Sequence, residues 1–140
     1  MAKPTFEQIK DMAELLDMSM RCFWHDKTKE VFSVPDSTLM PMDLGDWDDE
    51  LEKLETHFDE YQEIRPMDST ESFKIMEDFL DTIPDSDRIK QQLVYALNGR
   101  KPFRNFKQVI HETDDYRQEW FAFKEQKMQA WVSKQVERFD

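Results

Sequence analysis

Apolar side chains recur every three or four residues along most of this chain and alternate in only one place. A three-to-four-residue step lines one stripe of a helix, whereas alternation lines one face of a strand. That rhythm points to an α+β fold that is mostly helical. Phe6, Ile9, Ala13 and Leu16 form the first stripe, behind Pro4, whose missing N–H suits a first helical turn. At Met20 the period changes, so that Met20, Cys22 and Trp24 share a face. The run from Glu30 to Val34 is β-branched and aromatic and closes at Pro35. With Asp26-Lys27-Thr28-Lys29 between them, the two runs read as a β-hairpin. Its turn type stays open, because the turn contains neither Gly nor Asn. A lone hairpin is marginal in water and needs helices or a third strand to lean on.

Residues 35–45 hold two prolines and no period, and read as a loop. Trp47, Leu51, Leu54, Phe58 and Tyr61 then make a helical stripe whose other faces are almost all carboxylate. The stretch from Tyr61 to Arg65 has a second reading. Arg65 precedes Pro66 and is pushed out of the helical region, so the segment can instead supply the third strand. Asp68, with Glu71 three residues on, predicts a capped helix carrying Phe73, Met76, Phe79, Leu80 and Ile83. The run Pro84-Asp85-Ser86-Asp87 breaks it and caps the next, with Ile89, Leu93, Ala96 and Leu97 inward and Gly99 as a left-handed stop. Beyond Pro102, Phe103, Phe106, Val109 and Ile110 predict a short helix. The last and longest helix begins at Thr113 or Asp114. It carries Tyr116, Trp120, Phe123 and Trp131 beside Phe121, Met128, Val132, Val136 and Phe139, a surface broad enough for contact on two sides. No repeat or linker divides the chain. The expectation is one domain over 1–140, with five or six helices and an N-terminal hairpin that residues 61–65 would extend to a three-stranded antiparallel sheet.

A chain of 140 residues typically buries about two-thirds of its unfolded surface, enough for a core without metal or disulfide. Eleven Phe, four Trp and nine Met supply that core and argue against disorder. Against 31 Asp and Glu stand 19 Lys and Arg, a net −12 that disfavours general binding of DNA or RNA. The single cysteine, Cys22, excludes an internal disulfide and suits a reducing cytoplasm. The N-terminal residues lack the apolar region of a signal peptide, and no run approaches the roughly 18 residues of a membrane span. With only Gly45 and Gly99, a Gly-rich phosphate loop is excluded. A cytoplasmic protein with no membrane association is expected, its oligomeric state left open.

The charge is not spread evenly. Between Asp43 and Glu63 ten acids face Lys53 alone, whereas residues 98–140 carry seven acids and nine bases. Within Gly99-Arg100-Lys101-Pro102-Phe103-Arg104-Asn105-Phe106-Lys107 there are four cations and two aromatics and no acid. The leading reading is structural: Phe103 and Phe106 enter the core while the cations answer the acidic segment. The next is a protein partner; the third is phosphate or a stacked base. The candidate binding residues are therefore Arg100, Lys101, Phe103, Arg104, Phe106, Lys107 and Trp120. The carboxylates of 46–63 match no calcium-loop spacing, and mimicry of a nucleic-acid backbone by that face is a weaker idea. His25, His57 and His111 are far apart in sequence, and two ligands at His57 and Glu60 do not make a zinc site. Cys22 reads as a buried, inert thiol. No Ser lies in a nucleophile elbow. No catalytic residue, metal or cofactor is expected.

Three blocks of the second half resemble a known family: Ile75-Met76-Glu77-Asp78-Phe79-Leu80, then Leu93 to Lys107, then Trp120-Phe121-Ala122-Phe123-Lys124 with Ala130-Trp131. They are similar to Uncharacterised Protein Family 0158, small acidic bacterial proteins. Their hallmark resembles Ala-Leu-x-Gly-Arg followed by Phe-Arg-Arg-Phe-Lys, and later Trp-aromatic-x-Phe-Arg. This chain departs at Lys101, where a small residue is usual, and at Asn105 and Lys124, where Arg is usual. The resemblance implies no activity. The sequence favours a non-enzymatic interaction or regulatory protein that binds a protein partner. The competing class is a small-ligand protein or enzyme with its site between the hairpin and the last helix.

Overall fold

Among residues 3–36 and 47–139, which the computed structural model describes, six α-helices accompany one three-stranded antiparallel sheet. The fold is α+β, as the period change at Met20 implied. The loop expected over 35–45 lies, from residue 37 onward, outside the described residues. The chain divides into two compact units, residues 1–66 with 128–140, and residues 67–127.

In the first unit, α1 spans Phe6–Asp17 and is opened by a capping box. The Gln8 N–H donates to Thr5 Oγ1 at 3.2 Å, and the Thr5 N–H donates to Gln8 Oε1 at 2.9 Å. Pro4 therefore lies just outside the helix rather than in its first turn. Thr5 is the cap because its side chain satisfies an otherwise orphaned N–H. Strands β1 (Met20–His25) and β2 (Glu30–Pro35) form the hairpin. Its turn is completed by Lys29, whose φ of 58° supplies the left-handed residue while its N–H donates to His25 O at 2.9 Å. Strand β3 (Tyr61–Ile64) adds on the other side of β1, giving the order β2–β1–β3.

Helix α2 spans Asp48–Thr56, and a single 3₁₀ turn at Phe58–Glu60 leads into β3. The stripe from Trp47 to Tyr61 is thus cut short. Pairing with β1, together with the Asp26 N–H donated to Glu60 O at 2.9 Å, offers the backbone an extended alternative. Phe58 is left 75% exposed and Tyr61 turns onto the sheet. The inner face of the sheet carries Cys22, Trp24 and Ile64 into a core with Met12, Ala13, Leu16, Val132, Val136 and Phe139. Each large side chain so buried contributes roughly 1.5–3 kcal/mol of transfer free energy. The outer face gathers Phe23, Phe32 and Tyr61, with ring centroids 5.1–6.4 Å apart. At the end of β3 the Gln135 amide substitutes for a neighbouring strand. Its Oε1 accepts the Arg65 N–H at 2.8 Å, and its Nε2 donates to Arg65 O at 2.9 Å.

The second unit contains α3 (Ser69–Leu80), α4 (Arg88–Asn98), α5 (Pro102–Glu112) and α6 as far as Lys127. Asp68 and Glu71 close the anticipated capping box on α3. Asp87 caps α4 through its Oδ1, which accepts the Ile89 N–H at 2.8 Å. Ile75, Met76, Phe79, Leu80, Ile83, Leu93, Leu97, Phe106, Ile110 and Trp120 make one buried cluster. Trp120 meets Phe79 and Phe106 edge-on, at 5.2 and 4.9 Å between centroids.

Two further local expectations are corrected. Gly99 is extended (φ −98°, ψ −165°), and the left-handed residue is Lys101 (φ 51°, ψ 58°), which leads into Pro102 at the start of α5. Pro102 disfavours the right-handed helical region for Lys101. Helix α6 spans Arg117–Val136 and starts later than Thr113 or Asp114. Thr113 ends α5 and residues 114–116 form a turn. The broad apolar surface of α6 serves two cores in succession, Trp120 and Phe123 in one unit and Met128 to Val136 in the other.

Candidate functional site: the basic face of α4 and α5

The segment from Arg88 to Glu112 carries Arg88, Lys90, Arg100, Lys101, Arg104 and Lys107 against the single acid Glu112. Local folding sorts this segment by face. Every third or fourth position of α4 (Leu93, Ala96, Leu97) and of α5 (Phe106, Ile110) is buried, which leaves the intervening cations outside. Arg100, Lys101, Arg104 and Lys107 are all exposed. Among the described residues of this unit, none of the four pairs with a carboxylate; Lys90 does, with Asp85. The loop between the helices is held by Asn105, whose Nδ2 donates to Arg100 O at 2.7 Å. Between the outer faces of α4 and α5 lies an open groove of about 730 Å³. Arg88, Gln92, Tyr95 and Arg100 line it, and Tyr95 is 83% exposed.

The seven candidate residues therefore separate. The four cations stay together on the surface. Phe106 and Trp120 lie in the core, at 0% and 5% exposure, so they hold α5 in place and do not face a partner. Phe103 is half-buried and packs edge-on against Phe73, at 6.3 Å between centroids. Tyr95 escaped notice in the sequence because it lies within the apolar run Leu93-Val94-Tyr95-Ala96-Leu97, and Arg88 because it stands twelve residues before the cation cluster. Only helical spacing joins them, since positions 88, 92, 95 and 99 fall on one face of α4.

A profile of an uncharacterised protein family, UPF0158, matches residues 7–139. The chain belongs to that family. It is similar to a UPF0158 protein of Pseudomonas aeruginosa, 30% identical over 69 residues, which is 49% of this chain and 44% of that protein. The chain thus matches less than half the length of this curated relative. No solved structure matches it. Of the residues that carry the family pattern, Ala96, Leu97, Phe106 and Trp120 are buried and have a packing role. Arg100, Arg104 and Lys107 have no such role. Position 101 is left-handed, where any residue with a Cβ is strained.

The other chemistry-bearing groups are accounted for locally. Cys22 is fully buried, and burial pushes its thiol up to about 12, which fits the inert role. His25 and His57, distant in sequence, converge on Glu60, whose Oε2 lies 3.5 Å from His25 Nε2 and 3.6 Å from His57 Nδ1. Glu60 also accepts from Lys27 Nζ at 2.6 Å, and this bond first, with help from His25, holds its carboxyl below the usual range. Among the described residues no three His, Cys, Asp or Glu side chains are arranged to hold a metal, and no helix is long and apolar enough to cross a membrane. Between the hairpin and the C-terminal part of α6, Cys22, Trp24, Val132 and Val136 pack together in the core. An open cleft of about 750 Å³ does lie on the other side of the sheet, lined by Phe23, Leu51, Leu54, Phe58 and Tyr61.

Proposed function

We propose that the protein is a non-enzymatic interaction protein of the cytoplasm that holds a protein partner on the basic face of α4 and α5. One observation carries this reading: Arg100, Lys101, Arg104 and Lys107 are exposed on α5 and on the loop before it, which buried Phe106 and Ile110 anchor, with no carboxylate of their own unit to neutralise them. Several unneutralised cations on a firmly packed scaffold favour complementary charge from outside. The net −12 of the chain opposes general binding of polyanions and leaves a locally acidic protein surface as the better match.

The test is co-purification with the tagged full chain, comparing the native sequence with the combined Arg100→Ala, Lys101→Ala and Arg104→Ala variant. The expected result is a protein partner recovered with the native chain and lost with the variant, at unchanged melting temperature. A variant that loses stability sharply, with no partner lost, makes the cations structural and overturns the reading.

A further inference from the structure

The groove between α4 and α5 has a character different from the rest of the basic face. Its lining combines the Arg88 and Arg100 guanidiniums, the carboxamide of Gln92 and the nearly fully exposed ring of Tyr95. An exposed tyrosine flanked by arginines is the side-chain set that anchors protein contacts, since the ring brings large area at low entropic cost and arginine grips carboxylates with two parallel bonds. We propose that this groove takes an extended acidic segment of a partner protein, with carboxylates on Arg88 and Arg100 and a side chain packed on Tyr95. This occupant rests on the preceding reading and specifies it.

Charge complementarity selects the occupant. Both groove arginines lack a carboxylate partner among the described residues of their unit. The one acid in the groove, Glu112, is engaged by Gln108, whose Nε2 donates to it at 3.2 Å. A single-stranded RNA would also present anions, but it carries one per nucleotide and meets the field of the whole −12 chain. A peptide with a few spaced carboxylates meets that field far less. Its amides also suit Gln92.

Fluorescence anisotropy of the full chain with a short labelled peptide carrying a few spaced Glu residues, and separately with a single-stranded RNA of equal length, tests the assignment. Arg88 sits in the first turn of α4 and Tyr95 points to solvent, so Arg88→Gln and Tyr95→Ala leave the core intact. Peptide binding that weakens about tenfold in Arg88→Gln/Arg100→Gln and in Tyr95→Ala, but hardly changes in Lys107→Gln, supports the proposal. Equal binding by all variants, tighter binding of the RNA than of the peptide, or no peptide binding overturns it. If the peptide fails while the Arg100, Lys101 and Arg104 variant still loses a co-purifying protein, the interaction face stands and only the groove assignment falls.

Discussion

Position 99 and position 101 exchange the roles that residue type alone would give them. Gly99 is extended, and a Cβ built there would meet Tyr95 O at 3.5 Å, an ordinary contact. Lys101, by contrast, holds a left-handed backbone that costs a side-chain-bearing residue about 1 kcal/mol. Gly99→Ala is therefore expected to stabilise the protein by about 0.4–1 kcal/mol, because alanine narrows the unfolded ensemble without native strain. Lys101→Gly relieves strain and is expected to be neutral to stabilising. Urea denaturation of the two variants checks both. A loss of more than about 1 kcal/mol in Gly99→Ala would mean that the backbone at 99 needs glycine after all.

At the scale of elements, one carboxylate ties two helices of the second unit together. Asp87 caps α4 through Oδ1 and accepts the Tyr116 hydroxyl through Oδ2, in the turn that precedes α6. The Tyr116 bond, and then the Ile89 N–H, hold the Asp87 carboxyl below its ordinary range. The same bond, aided by burial, pushes the Tyr116 hydroxyl up to about 12. The sign of the linkage follows for each partner. A lowered carboxyl contributes stability that is present above its unfolded value near ~4 and lost as pH falls through the folded one. A raised phenol contributes stability that is complete below its unfolded value near ~10 and lost as pH rises through the folded value. Tyr116→Phe is thus expected to lower the melting temperature by a constant amount between about pH 4 and pH 10, with the deficit shrinking outside that window. A deficit independent of pH from end to end would mean that the hydroxyl is not coupled to the Asp87 charge, and no deficit at all would assign the tyrosine to packing alone.

Elements also differed in how openly the chain displayed them. The capping box at Asp68 and Glu71, the proline at the start of α5 and the change of period at Met20 are local signals, and each placed its element correctly. The third strand was readable only as an alternative, because Tyr61 to Ile64 owes its extended form to β1 and to Arg65-Pro66 together. Thr5 with Gln8 is an equally local cap that the neighbouring Pro4 obscured. The candidate site divided in the same manner. The cluster of cations at 100–107 is visible in any reading of the chain, yet the burial of Phe106 and Trp120 depends on contacts among α3, α5 and α6. Tyr95 and Arg88 join the site only because α4 and α5 lie side by side.

For the molecule as a whole, 31 acids against 19 bases make self-repulsion a standing cost at low salt. Added salt screens such repulsion within a Debye length that falls from about 30 Å at 0.01 M to about 10 Å at 0.1 M. The melting temperature is therefore expected to rise as sodium chloride is raised across that range. A fall instead would mean that attractive pairs such as Arg21 with Glu63 and Lys27 with Glu60 outweigh the repulsion.

What the sequence determined alone was whatever depends on neighbours along the chain: the helical and extended periods, most caps and breaks, the absence of a disulfide or phosphate loop, and the uneven charge. The tertiary structure decided everything that requires distant residues to meet. It placed the third strand, divided the chain into two cores served in turn by α6, took two of three candidate aromatics inside, and set Tyr95 beside the arginines. The physical reason is one of range. Backbone preference and capping act over three or four residues, whereas burial is settled only when remote apolar faces exclude water together.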